Sequence, residues 1–88
     1  MKFEWDPVKA AANITRHGVS FDHAKQVFSD PAAIELLDES ADEERWRILG
    51  RAPPDILMVV YTERGGRLRI ISARLADKRE RKAYLDQD

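Results

Sequence analysis

The 88-residue chain contains no cysteine, which excludes disulfides and thiolate metal sites and leaves packing alone to hold the fold. Its only histidines are His17 and His23, with no carboxylate pair at ligand spacing near either, so metal ligation has little to build on and no cofactor is expected. No apolar run approaches the roughly 20 residues of a membrane span. The opening Met1-Lys2-Phe3-Glu4-Trp5 lacks the apolar centre of a signal peptide. The expectation is a soluble, cytoplasmic protein. Four glycines, with Gly65-Gly66 the one adjacent pair, make no Walker or Rossmann phosphate loop, and no serine is marked as an activated nucleophile. Nor is there an excess of basic charge: the net charge is −1.

The charge that is present is unevenly placed. Asp38, Glu39, Asp42, Glu43 and Glu44 form an acidic block, while Arg64, Arg67, Arg69, Arg74, Lys78, Arg79, Arg81 and Lys82 are opposed over the same stretch only by Asp77 and Glu80. A solvated surface accounts for such runs in many small proteins. Here four of the arginines, Arg64, Arg67, Arg69 and Arg74, lie on or beside a strand, and the sheet is expected to deliver them to one region, a phosphate-facing surface.

The pattern of elements is that of one α+β domain spanning residues 1–88, with two N-terminal helices and a C-terminal helix on one side of an antiparallel sheet. Leu57-Met58-Val59-Val60-Tyr61 is apolar throughout and rich in β-branched residues, as in a strand covered on both faces. Gly65-Gly66 turns it into Arg67–Leu75 as an antiparallel hairpin. Phe3-Glu4-Trp5 is a short edge strand. Asp6 caps and Pro7 opens a helix that Gly18 stops, with Val8, Ala11, Ala12 and Thr15 expected to lie on the sheet and Lys9, Asn13, Arg16 and His17 gathered on its polar side. Ser20 caps a second, short helix carrying Phe21, Ala24, Val27 and Phe28 inward, ended by Asp30-Pro31. Strands follow over 32–37 and 44–51, the first an edge, separated by the acidic block as a mobile loop; Trp46 and Ile48 face the core while Arg45 and Arg47 face out. Pro53-Pro54-Asp55 is a turn. Asp77 and Glu80 have the spacing of a capping box for a last helix, which has little apolar surface beyond Ala83, Tyr84 and Leu85.

The chemistry this inventory suits is attack of an RNA 2′-OH on the adjacent phosphate. It requires a proton taken up, a proton returned, and stabilisation of extra charge on phosphorus. Arginine offers bidentate donors and a permanent charge for the last task, and imidazole carries protons near neutrality. The candidate proton carriers are His17, Lys9, Tyr61 and Tyr84. Each also has a structural role open to it: His17 as a helix C-terminal cation, Tyr84 as an anchor of the last helix, Tyr61 as core, Lys9 as solvated surface. His23 is read as surface. A non-catalytic nucleic-acid-binding or partner-docking module using the same patch is the rival reading.

Phe3-Glu4-Trp5-Asp6, Lys9, Asn13, the Arg16-His17-Gly18-Val19-Ser20-Phe21 segment, Val59-Val60-Tyr61-Thr62, Ile70-Ile71-Ser72-Ala73-Arg74, Arg79-Glu80-Arg81 and Tyr84 together resemble the BrnT toxins of bacterial type II toxin–antitoxin systems. The resemblance implies a RelE-like fold and a ribonuclease that inhibits translation, and with the 2′-OH chemistry above, which needs no metal, the expectation is a metal-independent endoribonuclease. It also implies neutralisation by a DNA-binding BrnA-type antitoxin, the complex of the two repressing its own operon. It further implies His17, Arg64, Arg74, Arg79 and Tyr84 as catalytic or phosphate-contacting residues, supported on RNA by Lys9, Arg67, Arg69, Arg81 and Lys82. Participation of the ribosome is left open. The chain departs from many relatives in having Arg16 where lysine is common and Val8 where a polar residue is, and its sequence pI of about 6.1 is low for a nuclease.

Overall fold

A computed structural model describes residues 1–39 and 43–87 of the chain. Five strands form one sheet in the order β1-β5-β4-β3-β2: β1 (Phe3–Glu4), β2 (Ile34–Leu37), β3 (Trp46–Ala52), β4 (Asp55–Arg64) and β5 (Arg67–Leu75). The last four form an antiparallel meander with the apolar β4 at its centre. The expected antiparallel sheet needs one correction. β1 joins the β5 edge in parallel, Phe3 beside Leu68 and Glu4 beside Arg69, so the sheet is mixed.

The helices begin where the capping residues place them. α1 (Pro7–His17) starts with the Asp6 carboxylate accepting from the backbone N–H of Val8 at 2.8 Å and ends at Gly18, whose φ of 70° is the left-handed conformation suited to glycine. α2 (Phe21–Ala24) is capped by Ser20 and runs directly into a 3₁₀ turn, Lys25–Ser29. α3 (Lys78–Leu85) opens with the Asp77–Glu80 capping box.

Packing corrects two further expectations. α1 does not lie on the sheet through Val8, Ala11, Ala12 and Thr15, all of which are exposed; its buried residue is Asn13, with Ala10 half-buried beside the core. The physical reason is that β1 pairs with β5 at residues 68 and 69, and among the described residues no strand covers the rest of that β5 edge. The Asn13 amide substitutes for one. It accepts from the Ala73 N–H at 3.1 Å and donates to the Ala73 carbonyl at 2.8 Å and the Val19 carbonyl at 2.9 Å. Those backbone groups would otherwise be buried and unpaired. Nor do all helices share one side of the sheet. α1, α2 and the 3₁₀ turn cover one face, burying Phe21, Val27, Leu57, Val59 and Ile70 almost completely, each worth roughly 1.5–3 kcal/mol of apolar burial. α3 covers the other face, where Tyr84 packs with Leu49, Ile56 and Met58.

On the helical face the aromatic rings interlock edge to face: Phe3 with Phe28 at 5.2 Å, Phe28 with Tyr61 at 4.9 Å, Trp5 with Phe21 at 5.8 Å. Gly50 lets the 3₁₀ turn approach the sheet, since a Cβ there would stand 2.7 Å from Val27 Cγ1. The Gly65-Gly66 turn has φ values of 59° and 78°, the two positive angles of a type I′ hairpin. The Pro53–Pro54 peptide bond in the expected turn is cis. Of the acidic block expected as a mobile loop, residues 40–42 lie outside the described residues.

Candidate nucleic-acid interface

A β-bulge assembles the basic face. In strict alternation Arg67 and Arg69 would share a face of β5, and Arg74, five residues past Arg69, would point to the opposite one. The register shifts instead. Val60 pairs with Ser72 but Tyr61 pairs with Ile70, leaving Ile71 as an extra residue on β5. The shift keeps Ile70 and Ala73 in the same core and puts Arg74 on the α3 face, opposite Met58, with Arg67 and Arg69.

Arg64 and Arg67 are paired directly across the hairpin end, a juxtaposition of like charges that favours an anion beside them. Arg69 donates to the Glu4 carboxylate at 2.6 Å, and Arg67 approaches the same carboxylate at 3.9 Å. Arg74 is held more firmly: its Nη1 and Nη2 donate to the two Glu80 carboxylate oxygens at 2.7 and 2.9 Å, and Nη1 also donates to the Leu75 carbonyl at 3.3 Å. The Glu80 hydrogen bonds keep Arg74 protonated beyond the ordinary guanidinium range against the opposing effect of burial. In return Arg74 holds the Glu80 carboxyl below the usual carboxylate range, again against burial and with help from the Asp77 N–H and the Arg47 charge.

Arg47 is the residue that sequence reading missed. Its register with Val60 places it on the same face as Arg74, two strands away, and its Nε is buried without a partner among the described residues. The alternation around Trp46 and Ile48 did signal that Arg47 points away from the helical core. What it lacked was the pairing that makes this outward face the arginine face.

The remaining candidates are dispersed. His17, exposed at the C-terminus of α1, lines a groove of about 310 Å³ with Lys9, Asn13, Arg16, Ile71 and Ser72. The polar side of α1 thus does gather, against the β5 edge that Asn13 pairs, and Ser72 borders both this groove and the arginine face. Arg79, Arg81 and Lys82 are exposed on α3, where Lys82 pairs with Asp86. Tyr84 is buried, donating its hydroxyl to the Asp30 carboxylate and lying with its ring 5.7 Å from the Arg51 guanidinium. The hydrogen bond to Asp30, then burial, push the Tyr84 phenol up from its usual range. Burial works against Asp30, but hydrogen bonds from Tyr84 and from the backbone of Arg51 and Ala32 outweigh it and hold Asp30 low. Tyr61 is core, pushed up to about 12 by burial and by Glu35 and Glu63, so it stays protonated near neutrality. His23 is not simply surface: half-buried, it meets Asp55 at 3.1 Å and ties α2 to the start of β4.

A second hollow, about 440 Å³, opens on the helical face between Phe28, Trp46 and Tyr61 and carries Glu35, Glu44 and Glu63. Its three carboxylates make this hollow a poor seat for phosphate, unlike the arginine face. Among the described residues no group of three or more His, Asp or Glu side chains is arranged to hold a metal ion, and no helix is long and apolar enough to cross a membrane. No curated protein matches the chain. The family model described as the ribonuclease toxin BrnT of type II toxin–antitoxin systems matches residues 5–80, and the chain belongs to that family.

Proposed function

We propose that this ribonuclease toxin is a metal-independent endoribonuclease whose active surface is the arginine face of the sheet, and that it has the RelE-like fold the family resemblance implies. RNA phosphates lie along Arg64, Arg67 and Arg69, with Arg47 and exposed Arg79, Arg81 and Lys82 at the margins. The substrate's 2′-OH attacks the adjacent phosphorus, the 5′-oxygen leaves, and a 2′,3′-cyclic phosphate remains; Arg74 stabilises the charge that builds on the phosphoryl oxygens. His17, accessible in a groove that shares Ser72 with the arginine face, exchanges the protons, with Lys9 beside it. Tyr84 contributes by fixing α3, since its hydroxyl is already given to Asp30. Cleavage in the cytoplasm inhibits translation, with or without the ribosome as platform. A DNA-binding BrnA-type antitoxin neutralises the toxin by covering the basic hairpin and α3, and carries the complex to operator DNA.

The observation that carries this reading is the bulge that turns Arg74 onto the face already occupied by Arg67 and Arg69. Arg74→Ala should reduce cleavage of total RNA by about 10²–10³-fold, the cost of removing one transition-state donor, and abolish growth arrest while antitoxin binding persists. Cleavage is scored by 2′,3′-cyclic phosphate ends in the presence of a chelator, with translating ribosomes added in a parallel reaction. Full toxicity of the Arg74→Ala chain would remove the site. Intact RNA in both reactions with the unsubstituted chain would leave a non-catalytic binding module.

A further inference from the structure

The geometry points to Glu80 as the positioning residue of the site: it orients the Arg74 guanidinium so that one fork of donors stays open for a phosphate. This inference rests on the ribonuclease reading of the arginine face. A guanidinium has five N–H groups in a fixed plane, presented as two forks. The end-on fork, one hydrogen each from Nη1 and Nη2, is taken by the two Glu80 oxygens, and the other Nη1 hydrogen goes to the Leu75 carbonyl. What remains among the described residues is the side-on fork, Nε–H and the second Nη2–H, on a side chain that is 39 % exposed. Two parallel donors in that spacing match two oxygens of a phosphodiester.

Glu80 is itself held. Only 17 % of its side chain is exposed, and Oε1 also accepts from the Asp77 N–H at 2.9 Å while the Asp77 carboxylate accepts from the Glu80 N–H at 2.8 Å. The capping box that starts α3 therefore fixes the carboxylate, and the carboxylate fixes the arginine. An arginine otherwise free to rotate about its side-chain bonds is delivered in one orientation, which is the kind of pre-organisation that stabilises charge developing in a transition state. The same carboxylate tempers the positive charge that an RNA ground state would feel.

Orientation and charge predict opposite effects on the two kinetic parameters. Glu80→Gln keeps an acceptor for the Asp77 N–H, because glutamine also serves in a capping box, but loses the charge and one arm of the fork. Single-turnover cleavage of an oligoribonucleotide that the unsubstituted chain cleaves should fall about 10–100-fold. Binding of a 2′-O-methyl version of the same oligonucleotide should stay equal or tighten several-fold, with a steeper salt dependence from the unmasked cation. A merely structural role would weaken both. Arg74→Lys, which keeps the charge and lacks the fork, should show the same loss of cleavage with binding kept, and it carries the test if Glu80→Gln fails to fold by circular dichroism. Unchanged cleavage in Glu80→Gln or Arg74→Lys, or a joint loss of binding and cleavage in a folded Glu80→Gln chain, overturns the positioning role. Full cleavage by Arg74→Ala instead removes the arginine site itself, and so separates the two failures.

Discussion

The two faces of this sheet come from the same strands and obey different rules. On the helical face, alternate residues of β3, β4 and β5 meet Phe21, Val27 and the interlocked aromatic rings, and among the described residues the packed centre holds no charged side chain. On the α3 face, the residues one step along the same strands include Arg47, Arg64, Arg67, Arg69 and Arg74, with apolar cover where Tyr84 reaches Leu49, Ile56 and Met58. The first face supplies stability. The second keeps arginines close together at an electrostatic cost that Glu4 and Glu80 offset, and that a phosphate chain would offset further. Period-two alternation lets both jobs be done by one set of strands, because adjacent residues answer to separate environments.

The sharpest way to break this comparison is to truncate one residue of β4 on each face. Leu57→Ala on the helical face should cost about 2–5 kcal/mol in denaturant unfolding, whereas Thr62→Ala on the other face should cost about 1 kcal/mol or less, the loss of one hydrogen bond to the Glu44 carbonyl. Equal costs would mean the two faces are not energetically distinct. Gly50→Ala should follow at about 1–3 kcal/mol, because Val27 is packed too closely to yield to a new methyl group; an unchanged Tm would show that the 3₁₀ turn can lift away.

The smallest effect separates the faces by pH. Both anchors of α3 are carboxylates held below their ordinary range: Glu80 through Arg74, and Asp30, despite burial, through Tyr84 and two backbone N–H groups. A carboxylate depressed in the folded state contributes stability that is fully present above its unfolded pKa, about 4, and is lost as pH falls through the lower folded value. Acidification below about pH 4 should therefore loosen residues 77–85 before the helical face. Hydrogen exchange should show this as earlier loss of protection at Tyr84 than at Val59, and simultaneous loss would show that α3 is not separately anchored. At neutral pH the same amides should still rank below β4, since Tyr84 is the only buried residue of α3.

Much of the fold was legible because it is written in local chemistry. Asp6-Pro7, Gly18, Ser20, Gly65-Gly66 and the Asp77–Glu80 box each act within a turn of their own position, and each marks the boundary it was expected to mark. The apolar run of β4 could only be a central strand. The contacts of α1 are not legible in its sequence, because a helix with few large apolar residues has no stripe to follow, and it docks through an asparagine whose partner, Ala73, lies 60 residues away. The parallel pairing of β1 and the placement of α3 on the opposite face are long-range choices of the same kind.

For the candidate site, the sequence by itself determined the inventory: many arginines near one hairpin, two histidines, no cysteine, and Glu80 three residues after Asp77. It could not determine that Arg74 joins Arg67 and Arg69, because strict alternation predicts the opposite face and only the extra residue at Ile71 reverses it. That bulge forms because Ile70 and Ala73 both bury in the same core, a demand imposed by side chains from elsewhere in the chain. Tertiary structure likewise decided that the Tyr84 hydroxyl belongs to Asp30, 54 residues earlier, and that Arg47 faces the site. Backbone turns and caps are short-range and legible in order along the chain, whereas the meeting of side chains on a sheet face depends on register, which packing sets.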